Sequence, residues 1–155
     1  MGGVRWIALG LAIALMGCGG EEDPRPGSSS VALVITGDID FETVEAAYAA
    51  CLDGDVDAGV VSLDSVLEAT PGAPDALVAR GLCRWARWEA RDSLEDVRAA
   101  YADLSAAIDA VGAGAEARGT ALADIYSHRA FVVQALDDAW VRTLEDLDRA
   151  VALAP

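Results

Sequence analysis

From Asp40 onward, apolar residues recur at spacings of three and four on an Ala- and Leu-rich background with few β-branched runs, the period of helices with one buried face. The pattern predicts six helices, at about 40–53, 57–69, 74–90, 93–111, 115–136 and 140–153. Breaks fall at Asp53-Gly54-Asp55, at Pro71-Gly72-Ala73-Pro74, at Gly112-Ala113-Gly114 and near Asp137-Asp138. Glycine ends helices by taking the left-handed conformation, and Pro74 suits a first helical turn. Six helices joined by short connections predict three antiparallel pairs, and therefore an all-α domain over 40–155. Its roughly 115 residues are enough for one small continuous core.

The pattern is different before Asp40. One charge, Arg5, precedes an uncharged run from Trp6 to Met16, and Gly17-Cys18-Gly19-Gly20 closes it. A membrane-spanning helix needs about 20 apolar residues. This run is too short, and it reads as a secretory signal. Gly19 to Ser30 is rich in Gly, Pro, Ser and charge, the composition of a tether that buries too little apolar surface to order itself. Val31 to Thr36 is β-prone and reads either as a strand-like segment lying on the first helices or as unordered chain.

Leu15-Met16-Gly17-Cys18 resembles the lipobox of bacterial lipoproteins. That resemblance implies cleavage after Gly17, so that 1–17 is a signal peptide and 18–39 a lipidated tether. It implies a covalent lipid on Cys18, whose several acyl chains suffice for stable anchoring; no other cofactor is indicated. Gly19, in place of Asp, implies outer-membrane delivery facing the periplasm, by the sorting rule of two-membrane bacteria. An ordinary secretory signal with an incidental cysteine and an uncleaved anchor are the competing readings.

Charge sharpens the picture. The chain has 11 basic residues against 26 acids. None of the basic residues is lysine, and loss of 1–17 would remove Arg5 alone, leaving a net charge of −16. So acidic a body repels nucleic-acid phosphates and anionic lipid head groups, which points to a lipid tail as the membrane attachment and away from nucleic acid.

The spacing inside the helix pairs resembles the tetratricopeptide repeat. Counting from Ala47, Gly54-Asp55, Gly59, Leu63, Val66 and Pro71 stand where that family has its landmarks. The second unit opens with Arg80-Gly81, but Leu104 and Ala107 arrive seven residues late and Gly112 replaces the closing proline. The third opens with Tyr126-Ser127-His128-Arg129-Ala130 and closes with Leu147-Asp148-Arg149-Ala150 and Pro155. The resemblance implies a short right-handed solenoid of about three units, the middle one degenerate. It also implies a concave groove lined by first helices, which here would present Val78, Leu82 and Trp85. An unrelated helical bundle is the alternative.

Four places carry candidate chemistry. Arg80, Arg84, Arg87 and Arg91 form a stripe on one helical face, with Trp85 and Trp88 between them. Such a cluster grips a partner's carboxylates through guanidinium forks beside aromatic anchors, or else pairs internally with Glu89, Asp92, Glu95 and Asp96. Asp53, Asp55 and Asp57, with Asp64 seven residues on, have the spacing of an EF-hand- or dockerin-type calcium loop. However, Ala58 occupies the glycine slot and Asp64 stands where Glu is better, and a tight turn with Asp57 as N-cap explains the same residues. Cys51 and Cys83 are either a disulfide between first helices of adjacent units, worth about 3 kcal/mol, or two small buried apolar side chains. His128 has no ligand-spaced neighbours and reads as structural. No paired-carboxylate, serine or cysteine catalytic pattern is recognisable, so no small-molecule substrate is indicated.

These readings lead to one expectation: a non-catalytic, lipid-anchored adaptor that binds a protein or peptide at the cell envelope. A calcium-binding module and a purely structural lipoprotein are the alternatives.

Overall fold

The computed structural model describes residues 40–112, 119–136 and 140–153, all within one compact unit spanning 31–155. The signal, Cys18, the tether, Val31–Thr36, Ala113-Gly114, Asp137-Asp138 and Pro155 lie outside the described residues. Within them are six α-helices and no strand: α1 Phe41–Leu52, α2 Val56–Ala69, α3 Pro74–Arg91, α4 Leu94–Val111, α5 Gly119–Val133 and α6 Trp140–Leu153. The domain is all-α.

Each boundary has a local cause. Asp40 caps α1, its carboxylate accepting from the Thr43 amide at 3.2 Å and from the Thr43 hydroxyl, and Ser93 caps α4 by accepting from the Asp96 amide. Pro74 opens α3. Gly54 and Gly72 turn the chain with φ of 97° and 81°, the left-handed region that glycine enters at little cost. Asp55, not Asp57, holds the N-cap position of α2. The chain closes tightly here, the Asp55 amide donating to Ala50 at 2.9 Å and the Gly59 amide to Asp55 at 3.1 Å, which places Asp57 in the first helical turn. The fifth helix stops at Val133, earlier than periodicity predicts. The amides of Gln134, Ala135 and Leu136 donate to carbonyls three residues back, a tighter winding common at helix ends.

Successive helices form hairpins α1–α2, α3–α4 and α5–α6. The hairpins meet through α2 on α3 and α4 on α5, while α1 packs on α3 and α3 on α5. One apolar core runs through all six helices. In α4 it is built from Val97, Ala100, Leu104, Ala107, Ile108 and Val111, a stripe at spacings of three and four, whereas Pro74 through Ala79 at the start of α3 are buried without a break. Full burial of an aliphatic side chain stabilises a fold by about 1.5–3 kcal/mol, so this shared interior is the main stabilising term.

Close helix contact depends on two glycines. A Cβ at Gly59 would meet the Cys51 sulfur and come within 2.6 Å of the Ala47 carbonyl; at Gly81 it would press on Leu104 at 3.1 Å and the Ala100 carbonyl at 3.3 Å. Gly59→Ala must therefore force α1 and α2 apart. A loss of about 1–3 kcal/mol, read as a lower urea midpoint with secondary structure retained, is the expected result.

Candidate functional site

The most concentrated chemistry lies where α3 passes between α2 and α4. Arg80, Arg84, Arg87 and Arg91 share one face of α3. Asp57 and Asp64 stand two turns apart on α2, and Asp96 and Asp103 two turns apart on α4. Because neighbouring helices run antiparallel, the acids meet the arginines in two layers.

In the first layer, Arg80 grips Asp103 with Nε at 3.0 Å and Nη2 at 2.6 Å, and reaches Asp64 with Nη1 at 2.7 Å. Arg84 donates to the same Asp103 carboxylate at 2.7 Å and lies 3.7 Å from Asp64. Its Nε is buried without a partner among the described residues. In the second layer, Arg87 donates twice to Asp96, at 2.9 and 2.5 Å, and once to Asp57 at 3.3 Å. Arg91 donates twice to Asp57. The layers differ in exposure: the Asp103 side chain is 5% exposed and Arg80 18%, whereas Asp57 and Arg91 are more than half exposed. The Arg91 and Arg87 hydrogen bonds hold the Asp57 carboxyl below its ordinary range, and the Asp96 and Asp57 carboxylates raise Arg87 in turn.

A third lock joins the last hairpin. Arg129 of α5 grips Asp146 of α6 with Nε at 2.9 Å and Nη2 at 2.7 Å, and donates to Ser105 of α4 at 3.0 Å. The Tyr101 and Tyr126 rings lie about 5.5 Å from its guanidinium. The pattern of the first lock thus recurs: a first-helix arginine holds an aspartate on its own hairpin's second helix and one polar group on the hairpin before.

The stripe is therefore spent on internal pairing. Of the four partners anticipated for it, only Asp96 contributes. Glu89 shares the arginines' own helix and Asp92 ends it, while Glu95, beside Asp96 in the first turn of α4, is exposed; the actual partners come from the flanking helices. Trp85 and Trp88 meet at a tilt of 43°, ring centres 4.5 Å apart, against the core. Leu82 and Trp85 are half-buried, but Val78 is buried and belongs to the core instead of an open groove.

Asp57 and Asp64 of the suggested calcium loop face arginines, and among the described residues no group of three or more His, Cys, Asp or Glu could hold a metal ion. Cys51 and Cys83 form a disulfide between α1 and α3, with Cα atoms 5.6 Å apart. His128 is half-buried, and desolvation pushes its pKa down from the ordinary 6.5, against the pull of Asp124. An open cavity of about 390 Å³ is lined by Asp64, Glu68, Pro71, Leu77 and Arg80, and its Asp64 and Arg80 are already paired with each other.

Sequence reasoning overlooked Asp57, Asp64 and Asp103 as arginine partners, and the Arg129–Asp146 lock entirely. A signal was present: pairs of aspartates seven residues apart on the two helices flanking the arginine stripe.

No family model matches the chain, and no curated protein or solved structure matches it. Among the described residues no helix is long and apolar enough to cross a membrane.

Two measurements probe this architecture. Asp103→Ala removes the carboxylate that Arg80 and Arg84 share in a mostly buried layer and should cost about 3–5 kcal/mol, while Asp57→Ala, in the exposed layer, should cost at most about 1 kcal/mol. Chemical denaturation of both variants gives the comparison, and equal losses would refute the two-layer account. Reduction of the Cys51–Cys83 bridge, which closes a loop with a sequence separation of 32, should lower stability by about 3 kcal/mol. Thermal melts with and without reductant, and of Cys83→Ser, test it.

Proposed function

We propose that the protein is a bacterial lipoprotein whose TPR-like helical domain serves as a non-catalytic adaptor for a protein or peptide at the cell envelope. One observation carries this reading: the same arginine lock ties a hairpin both to itself and to its predecessor at Arg80 and again at Arg129. Recurrence of one joint at equivalent positions is what a stack of like units requires. The equivalence follows Arg80-Gly81 and Arg129-Ala130, each an arginine followed by a small residue at the opening of its unit.

Stacked hairpins present surface without chemistry, and such scaffolds act by binding. The described side chains support that assignment, since the densest charged cluster is closed on itself by good internal geometry. It is a set of joints, not a reactive centre. The lipobox-like Leu15-Met16-Gly17-Cys18 supplies the location, and an acidic body agrees with attachment by acyl chains instead of by charge. Delivery to the outer membrane, facing the periplasm, is the placement that Gly19 favours.

The anchor is directly testable. Mass spectrometry of the protein from native membranes should find acyl groups on Cys18, and Cys18→Ser should move the protein to the soluble envelope fraction. A Cys18→Ser protein that still sediments with membranes would remove the tether from this reading.

A further inference from the structure

The last hairpin is amphipathic in an unexpected sense. α6 turns Thr143, Asp146 and Ala150 inward and leaves Trp140, Val141, Leu144, Leu147 and Val151 facing out, with Trp140 75% and Val151 74% exposed. The other second helices bury the equivalent face. Leu104 of α4 and Leu147 of α6 each follow the aspartate that holds their own hairpin's arginine, Asp103 or Asp146, and Leu63 of α2, like Leu104, precedes the residue that the next hairpin's arginine reaches. Leu63 and Leu104 are fully buried, whereas Leu147 is 37% exposed. α2 is covered by α3 and α4 by α5, while no described helix follows α6.

The residue after each leucine decides what fits there. Asp64, after Leu63, receives Arg80 from the covering helix. Ser105, after Leu104, receives Arg129 from the covering helix. Asp148, after Leu147, is exposed and has no hydrogen bond or ion pair among the described residues. It is a vacant socket for an arginine, beside an apolar stripe whose counterparts are covered.

We propose that the outer face of α6 docks an arginine-bearing amphipathic helix of another protein. The partner's apolar side would cover Trp140, Leu144, Leu147 and Val151, and its guanidinium would pair with Asp148 as Arg80 pairs with Asp64. This assignment rests on the adaptor reading and names its surface and partner chemistry. A second copy of the chain is a poor occupant. The α1 position equivalent to Arg80 and Arg129 is Ala46, and α1 would bring Glu42 and Glu45 instead, between molecules of net charge −15 each. An arginine-bearing helix satisfies both the stripe and the socket.

The test uses the purified full chain and a fluorescent, helix-stapled peptide with the sequence of residues 74–91, Cys83→Ser, which already fits Asp64 within this fold. Anisotropy should report saturable binding. The loss expected of one charge-assisted contact, about tenfold in affinity, should follow from Asp148→Asn in the protein or Arg80→Gln in the peptide. Leu144→Asp should abolish binding. Exchanging the charges, Asp148→Arg with Arg80→Asp, should recover much of the affinity. Both protein positions are exposed, so unchanged thermal melts are expected and would exclude misfolding. No binding, equal binding of a scrambled peptide, or indifference to Asp148 and Leu144 would overturn the assignment. So would a dimer in sedimentation velocity that Leu144→Asp dissolves, since the occupant would then be a second copy. Envelope partners that remain bound to the Leu144→Asp protein would likewise overturn the α6 assignment, yet leave the adaptor reading standing; loss of all partner capture by the unaltered protein would count against both.

Discussion

The domain depends on placing guanidinium groups between helices and satisfying them there. Removing a charge from water costs several kcal/mol even after relaxation, and attraction recovers that only with good geometry and full hydrogen bonding. Here the geometry is supplied by the fork of arginine: two parallel donors clasp one carboxylate while the third side of the group reaches another helix. A lysine, with one ammonium on a flexible stem, cannot hold two helices in one orientation this way. The locks are thus better understood as devices of register than as sources of net stability. Arg80 fixes where α3 lies along α4 and, in the same gesture, where it lies along α2. The stabilisation itself comes from the apolar interior that this register lets close.

Register matters because little else in the interface specifies it. The closest helix approaches run through small residues, Gly59 against Ala47 and Gly81 against Ala100, which permit contact but would tolerate sliding. Small residues bring backbones together, and directional charge pairs choose among the positions available. The disulfide adds a restraint of another kind, tying α1 to α3 across the layer where no arginine acts.

The helical pattern was legible because burial on one face writes its period into the chain: α4 could be read from Val97, Ala100, Leu104 and Ile108 alone. Helix ends could be read where glycine or proline dictates them, as at Gly54, Gly72 and Pro74. They were misread where the choice lies between neighbouring aspartates, as at Asp55 and Asp57, because either can cap and only the turn's own hydrogen bonds decide. The arginine stripe was visible, but of its partners only Asp96 was. Local sequence offers Glu89, Asp92 and Glu95 as neighbours, and a linear reading favours them. The true partners, 16 and 23 residues from Arg80, become neighbours only once three helices stand side by side. Likewise Val78 has the spacing of a groove residue, but the burial of the whole first turn and a half of α3 removes it from the surface.

Engaging so many of the arginines in internal pairs has a consequence for the exterior. Acids outnumber basic residues more than twofold, and six arginines, at 80, 84, 87, 91, 129 and 149, are engaged with other side chains of the domain. What faces water is therefore acidic out of proportion even to the composition. Such a surface resists self-association and anionic membranes, and it steers cationic partners toward any apolar patch it surrounds. The same residue choice that fixes the helices in register thus also sets the sign of what the domain can bind. Asp148 belongs to both arrangements: by position it is one more element of the internal joint, and by exposure it is part of the surface. A lock whose second half is missing from the described chain is a lock another helix can complete.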